Sequence, residues 1–104
     1  MSTLLERARH GEPLTDLGII DLHGHLGAFA FPIADLSAEG LIQVMDRLGV
    51  RQIMLSHIQC EAMHARYGND VLLAAMRAHP GRILGYVIHF PTSEAEVTAE
   101  MERC

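Results

Sequence analysis

At 104 residues, 49% of them hydrophobic and 20% charged, the chain has the size of one compact domain with a core of its own. A formal net charge of −5 argues against the basic stripe of a nucleic-acid binder, and no apolar run is long enough to span a bilayer. Met1 to His10 lacks the charged-then-apolar order of a signal peptide, and Cys60 and Cys104 stand far apart outside any C-x-x-C, so a cytoplasmic protein with reduced thiols is expected.

In chain order, Ser2 to Arg9 reads as a short amphipathic helix closed by Gly11 and Glu12-Pro13. Asp16 to Leu22 reads as a buried strand, β-branched at Ile19 and Ile20, and His23 to Leu36, with Gly24, Gly27 and Pro32, as a loop. Ser37 is placed to cap a helix whose Leu41, Val44, Met45 and Leu48 recur at helical spacing, with Gly49 at its end. Val50 to Ser56 is the second predicted strand, followed by a loop over His57 to Gly68. Asn69 is the predicted cap of a helix from Asp70 to Ala78, which His79-Pro80-Gly81 stops. Ile83 to His89 is the third predicted strand, and Ser93 with Glu96 forms an S-x-x-E capping box for a helix to Cys104.

The order helix, then βαβαβα, predicts an α/β fold: one domain over residues 1–104, with parallel strands joined by right-handed crossovers. Nearly continuous apolar strands predict a sheet covered on both faces. The methionines at 45, 54, 63 and 76 fall at packing positions.

The chemistry concentrates in Asp21-Leu22-His23-Gly24-His25. Two histidines one residue apart point to the same side of an extended backbone, so both imidazoles can reach one divalent metal. Asp21 has two readings: a carboxylate that orients an imidazole through its second nitrogen, or one bonded to nearby backbone amides. His57 follows the second predicted strand and His89 closes the third. The C-terminal ends of parallel strands gather on one face, so both are candidates for an additional or supporting position. His10, His64 and His79 read as solvated, as does Glu61. Gly24-x-x-Gly27 lacks the further glycine and immediate helix of a dinucleotide site.

The segment Ile19-Ile20-Asp21-Leu22-His23-Gly24-His25 resembles the first-strand signature of the amidohydrolase superfamily. Met45-Asp46-Arg47-Leu48-Gly49-Val50 is similar to the helix-to-strand turn of the branch holding metal-dependent hydrolases and related decarboxylases. So are Gly68-Asn69-Asp70, His79-Pro80-Gly81-Arg82 and Leu84-Gly85-Tyr86-Val87 with Pro91. The resemblance spans residues 17–104, and only its H-x-H is chemically specific. It implies a (β/α) barrel of the TIM type with a divalent metal, often zinc, held in part by His23 and His25. It also implies a small-molecule substrate whose amide, ester or lactone is attacked by metal-activated water. Non-oxidative decarboxylation by the same superfamily is the alternative chemistry, and a non-catalytic βα assembly module the alternative of another class. A complete barrel takes about 250 residues, and the family's later metal ligands have no counterpart positions here. The expectation is therefore an N-terminal barrel segment, inactive alone, that continues in a longer product or assembles with copies or a partner supplying the rest.

Overall fold

The computed structural model describes residues 1–28, 30, 32–33, 35–62 and 64–104. The side chains of residues 61 and 62 are outside that set, so the expectations for Glu61 and Met63 lie outside the described residues. The elements are α1 (Leu4–Arg9), β1 (Ile19–Leu26), α2 (Ala38–Leu48), β2 (Val50–His57), α3 (Ile58–Ala62), α4 (Ala65–Ala78), β3 (Ile83–Gly85) and α5 (Glu94–Arg103), with a 3₁₀ turn at Thr15–Leu17. The three strands form one parallel sheet in the order β1-β2-β3, with helices in both crossovers. This is the α/β arrangement that the alternation of patterns predicts.

α2 follows its local signals most directly. The Ser37 hydroxyl accepts from the Gly40 N–H, and Gly49 ends the helix in the left-handed region at φ 83°. Its buried stripe differs from the expected one. Ala38, Leu41, Ile42 and Met45 face the sheet, while Val44 and Leu48 stand exposed. Both stripes satisfy a 3.6 period, and contact with β2 selects between them.

The core joins Leu26 of β1, Ile53 and Leu55 of β2 and Ile83 of β3 to Met45 of α2 and to Leu72 and Ala75 of α4. Ile53 and Leu55 are two residues apart, so they share one sheet face, and both crossover helices pack on that face. The other face lacks such cover: Ile20, Leu22, Leu84 and Tyr86 are all exposed there. The expectation of a sheet covered on both sides is corrected accordingly.

Four boundaries depart from the sequence reading. β1 begins later than Asp16, because the 3₁₀ turn and the left-handed Gly18 (φ 61°) intervene. It runs on through His25 to Leu26, so the histidine pair lies within the strand and not in a loop after it. After β2, in place of the expected loop, come α3 and the first turn of α4. Asn69 is consequently no cap; it sits inside α4 at 2% exposure. β3 is short, ending at Gly85. Tyr86 still gives its N–H to the Leu55 carbonyl at 2.8 Å. Beyond it, the Asn69 carboxamide takes the part of a neighbouring strand, donating to the Ile88 carbonyl at 2.8 Å and accepting the Ile88 N–H at 3.2 Å. A buried side chain that mimics a peptide group thus replaces the ladder that the apolar run Val87-Ile88 would otherwise extend.

The same Asn69 donates to Glu100 Oε1 at 3.0 Å, tying α5 to α4. Cys60 gives its S–H to the Ala65 carbonyl and to Asn69 Oδ1, and no disulfide joins Cys60 to Cys104. Among the described residues no helix is long and apolar enough to cross a membrane.

Candidate metal centre

β1 carries its chemistry on the uncovered face because of how it pairs with β2. The register runs Asp21↔Ile53 and then Gly24↔Leu55, three residues of β1 against two of β2. That mismatch is a bulge at Leu22-His23, a feature rare between parallel strands. An extra residue leaves a backbone N–H outside the ladder, and Asp21 Oδ1 accepts the His23 N–H at 3.0 Å. Of the two readings of Asp21, the structure therefore shows the backbone one, and its carboxylate is not hydrogen-bonded to either imidazole. Past the bulge the alternation is regular. Gly24 faces the core, where a Cβ would meet Leu55 and Ile53 side chains at 2.7 and 2.8 Å. His25 faces the open side.

His23 and His25 converge there. Their rings are edge-on at 80° with centroids 5.0 Å apart, and the two Nε2 atoms lie 3.2 Å from each other. Across the ladder, His25 is paired with Ser56, and its Nδ1 lies 2.9 Å from Ser56 Oγ. Tyr86, the residue after β3, reaches over β2 and donates its hydroxyl proton to the Leu22 carbonyl at 3.1 Å. Leu22, His23, His25, Ser56, Tyr86 and Ile88 line an open recess of about 240 Å³.

The two Nε2 atoms are at hydrogen-bond distance, one ring donating to the other, and the same separation suits a shared ion that would replace the proton between them. Two imidazole nitrogens at about 2.0–2.1 Å from a tetrahedral zinc stand about 3.3 Å apart. Neutral imidazole nitrogen is also a donor that zinc and its neighbours in the first transition row accept. Both donors, the bite distance and the open recess fit a divalent metal. Among the described residues no set of three His, Cys, Asp or Glu side chains is grouped to hold one. The arrangement is thus a pair and not a full coordination set.

The other histidines are elsewhere. His57 pairs in register with Leu26, one residue beyond Ser56, so strand alternation turns it to the helix-covered face. It is 4% exposed and lies edge-on to Tyr67 with ring centroids 5.8 Å apart. Its Nδ1 accepts the Gln59 N–H at 3.2 Å, and the ring covers the α-carbon of Gly27, where a Cβ would come within 2.4 Å. His89 is not a strand end, since β3 stops at Gly85. It lines a separate depression with Arg66, Glu96 and Arg103, and its Nδ1 lies 2.6 Å from the Phe90 carbonyl. Neither histidine joins His23 and His25. His79, expected to be solvated, is held partly buried beside Glu39, with Nε2 3.5 Å from Oε1.

Sequence reasoning missed Ser56 and Tyr86. Ser56 was accessible in principle, because Ile53, Leu55 and His57 form one alternating set and Met54 and Ser56 the other. What the sequence lacks is the register that puts Ser56 opposite His25.

Burial pushes the His57 imidazole below its ordinary value of 6.5. The fold therefore favours the neutral ring. Acidification begins to cost stability near pH 6.5, and the loss levels off once the pH passes the lowered folded-state value. Imidazole proton shifts followed by NMR should show His57 titrating below pH 6.5; a midpoint at or above that value would contradict the buried position.

Comparison with protein-family models, with curated proteins and with solved structures gives no match to this chain.

Proposed function

We propose that His23 and His25 form a two-histidine half-site for a divalent metal, zinc in the first instance, on the open face of an amidohydrolase-type barrel segment. The observation that carries this reading is the 3.2 Å separation of the two Nε2 atoms within one strand. Two features of the sheet support the barrel reading. The strands follow one another in the order β1-β2-β3, and the crossover helices lie on one side, as in a singly wound (β/α) barrel whose other side is the interior. The two histidines stand on that other side, in the C-terminal half of β1.

When bound, the metal lowers the pKa of a coordinated water and polarises a carbonyl, which supports hydrolysis of an amide, ester or lactone. The chain's own residues hold the two nitrogens at bite distance, wall the recess with Leu22 and Ile88, and brace β1 through the Tyr86 hydroxyl. A catalytic zinc takes three protein ligands and an open position. The remaining ligands would come from further strands or from a partner chain.

Zinc titration of the dialysed chain tests the half-site. Wild-type protein should bind with an affinity that falls at least about 100-fold in His23→Ala/His25→Ala, since both nitrogens of the pair are lost. Equal uptake by the two proteins would sink the reading. A second reading rests on the uncovered face itself. Exposed Ile20, Leu22, Leu84 and Tyr86 beside two strand edges that are unpaired among the described residues also suit a non-catalytic module that assembles through its sheet. It predicts self-association, seen by light scattering, that does not depend on zinc.

A further inference from the structure

We infer that Ser56 is the positioning residue of the His23–His25 pair: it holds the His25 ring so that Nε2, and not Nδ1, faces the metal. The inference rests on the half-site reading above and extends it to a second strand. An imidazole offers two nitrogens, and the hydrogen bond made by one decides which is left for a metal. Ser56 Oγ lies 2.9 Å from His25 Nδ1, and the residue is only 6% exposed. Its backbone is paired with that of His25 in the parallel ladder, so neither partner drifts independently.

With Nε2 committed to a metal, Nδ1 carries the ring proton and donates it to Ser56 Oγ. The hydroxyl then accepts, and the ring is fixed in both tautomer and rotation. Among the described residues His23 has no comparable partner on its Nδ1. The two imidazoles are therefore unequal: His25 is the anchored member, and His23 is aimed by the bulge that Asp21 closes.

The experiment compares zinc titrations of wild type, Ser56→Ala and Ser56→Thr at pH 7, with thermal midpoints of the metal-free proteins as a folding check. Ser56→Ala should bind zinc about 10–100-fold more weakly, the usual cost of losing such a partner, with its thermal midpoint little changed. Ser56→Thr keeps the hydroxyl and should retain most of the affinity. Long-range ¹H–¹⁵N spectra of zinc-loaded wild type should show His25 protonated at Nδ1 and metal-bound at Nε2, a readout that needs no variant. Unchanged affinity in Ser56→Ala, a threonine variant as weak as alanine, or a metal on Nδ1 would each overturn the role of Ser56 while leaving the half-site standing. Failure of the wild type to take up zinc would overturn both.

Discussion

Replacing Glu100 by glutamine is expected to cost about 3 kcal/mol at pH 7 and to remove the part of the acid sensitivity that this carboxylate carries. The Glu100 carboxylate is 6% exposed on α5. It accepts from Arg103 Nε at 2.8 Å and Nη2 at 2.6 Å, and from Asn69 Nδ2 at 3.0 Å. Arg103 is itself paired with Asp70 of α4. The Arg103 hydrogen bonds outweigh burial and, helped by Asn69, hold the Glu100 carboxyl down to about 2 from an ordinary 4.5. A lowered carboxylate contributes stability that is fully present above pH 4.5 and is lost as the pH falls through the folded-state value. A drop from 4.5 to about 2 corresponds to about 3 kcal/mol. Losing that much is serious for a small domain, whose total is about 5–15 kcal/mol. Urea unfolding at pH 7 should separate wild type from Glu100→Gln by that amount, and the two should converge as the pH approaches 2. Curves that stay parallel across the whole range would refute the assignment.

The second large effect is expected at Gly49, judged against Gly81. Both glycines are left-handed, at φ 83° and 74°, so either alanine variant bears a conformational cost of about 1–2 kcal/mol. They differ in what surrounds the missing methyl. At Gly81 a Cβ meets nothing within 4 Å; at Gly49 it would lie 2.4 Å from the Leu14 nitrogen and 2.7 Å from that of Thr15. These are backbone atoms, and Leu14 gives its N–H to the Leu48 carbonyl at 3.0 Å. Relief of the clash requires the 14–15 segment to leave the end of α2 and abandon that bond. Gly49→Ala should therefore lose about 3 kcal/mol or more, and Gly81→Ala about 1–2 kcal/mol. At about 4–8 °C per kcal/mol for a chain this short, thermal melts resolve the difference. Equal melting temperatures would show that crowding at Leu14 is relieved without cost.

How much of this was legible beforehand depends on whether the deciding contact is local. The ends of α2 are marked by Ser37 and Gly49, each acting within a turn of its own position, and both are readable from the sequence. The start of α5 is similarly readable: the Ser93 hydroxyl accepts the Glu96 N–H within the same turn. The end of β3 is not. It goes with Asn69, whose side chain satisfies the backbone of Ile88, nineteen residues later, in place of a ladder. The facing of α2 required its partner strand. The convergence of His23 and His25 follows from spacing in an extended chain, whereas the role of Ser56 depends on a register that sequence does not express. His57 and His89 looked alike as strand-end histidines. Alternation from Leu55 separates His57 from the open face, and the early end of β3 removes His89.

The bulge in β1 gives the strand a residue that its neighbour does not count. Leu22 and His23 together stand against a single position of β2, and the ladder resumes in step from Gly24 onward. In the language of insertions and deletions, most positions in a strand tolerate neither, because one residue more or fewer turns every later side chain to the opposite face. The position of Leu22 is an exception. A chain lacking it would keep the register that sets His25 opposite Ser56 and Leu26 in the core, while losing the Asp21 turn, the Tyr86 bond to the Leu22 carbonyl and one wall of the recess. Length variation at this point of β1 thus spares the histidine that Ser56 holds, and a D-H-x-H spacing there would keep the His25–Ser56 pairing of D-x-H-x-H.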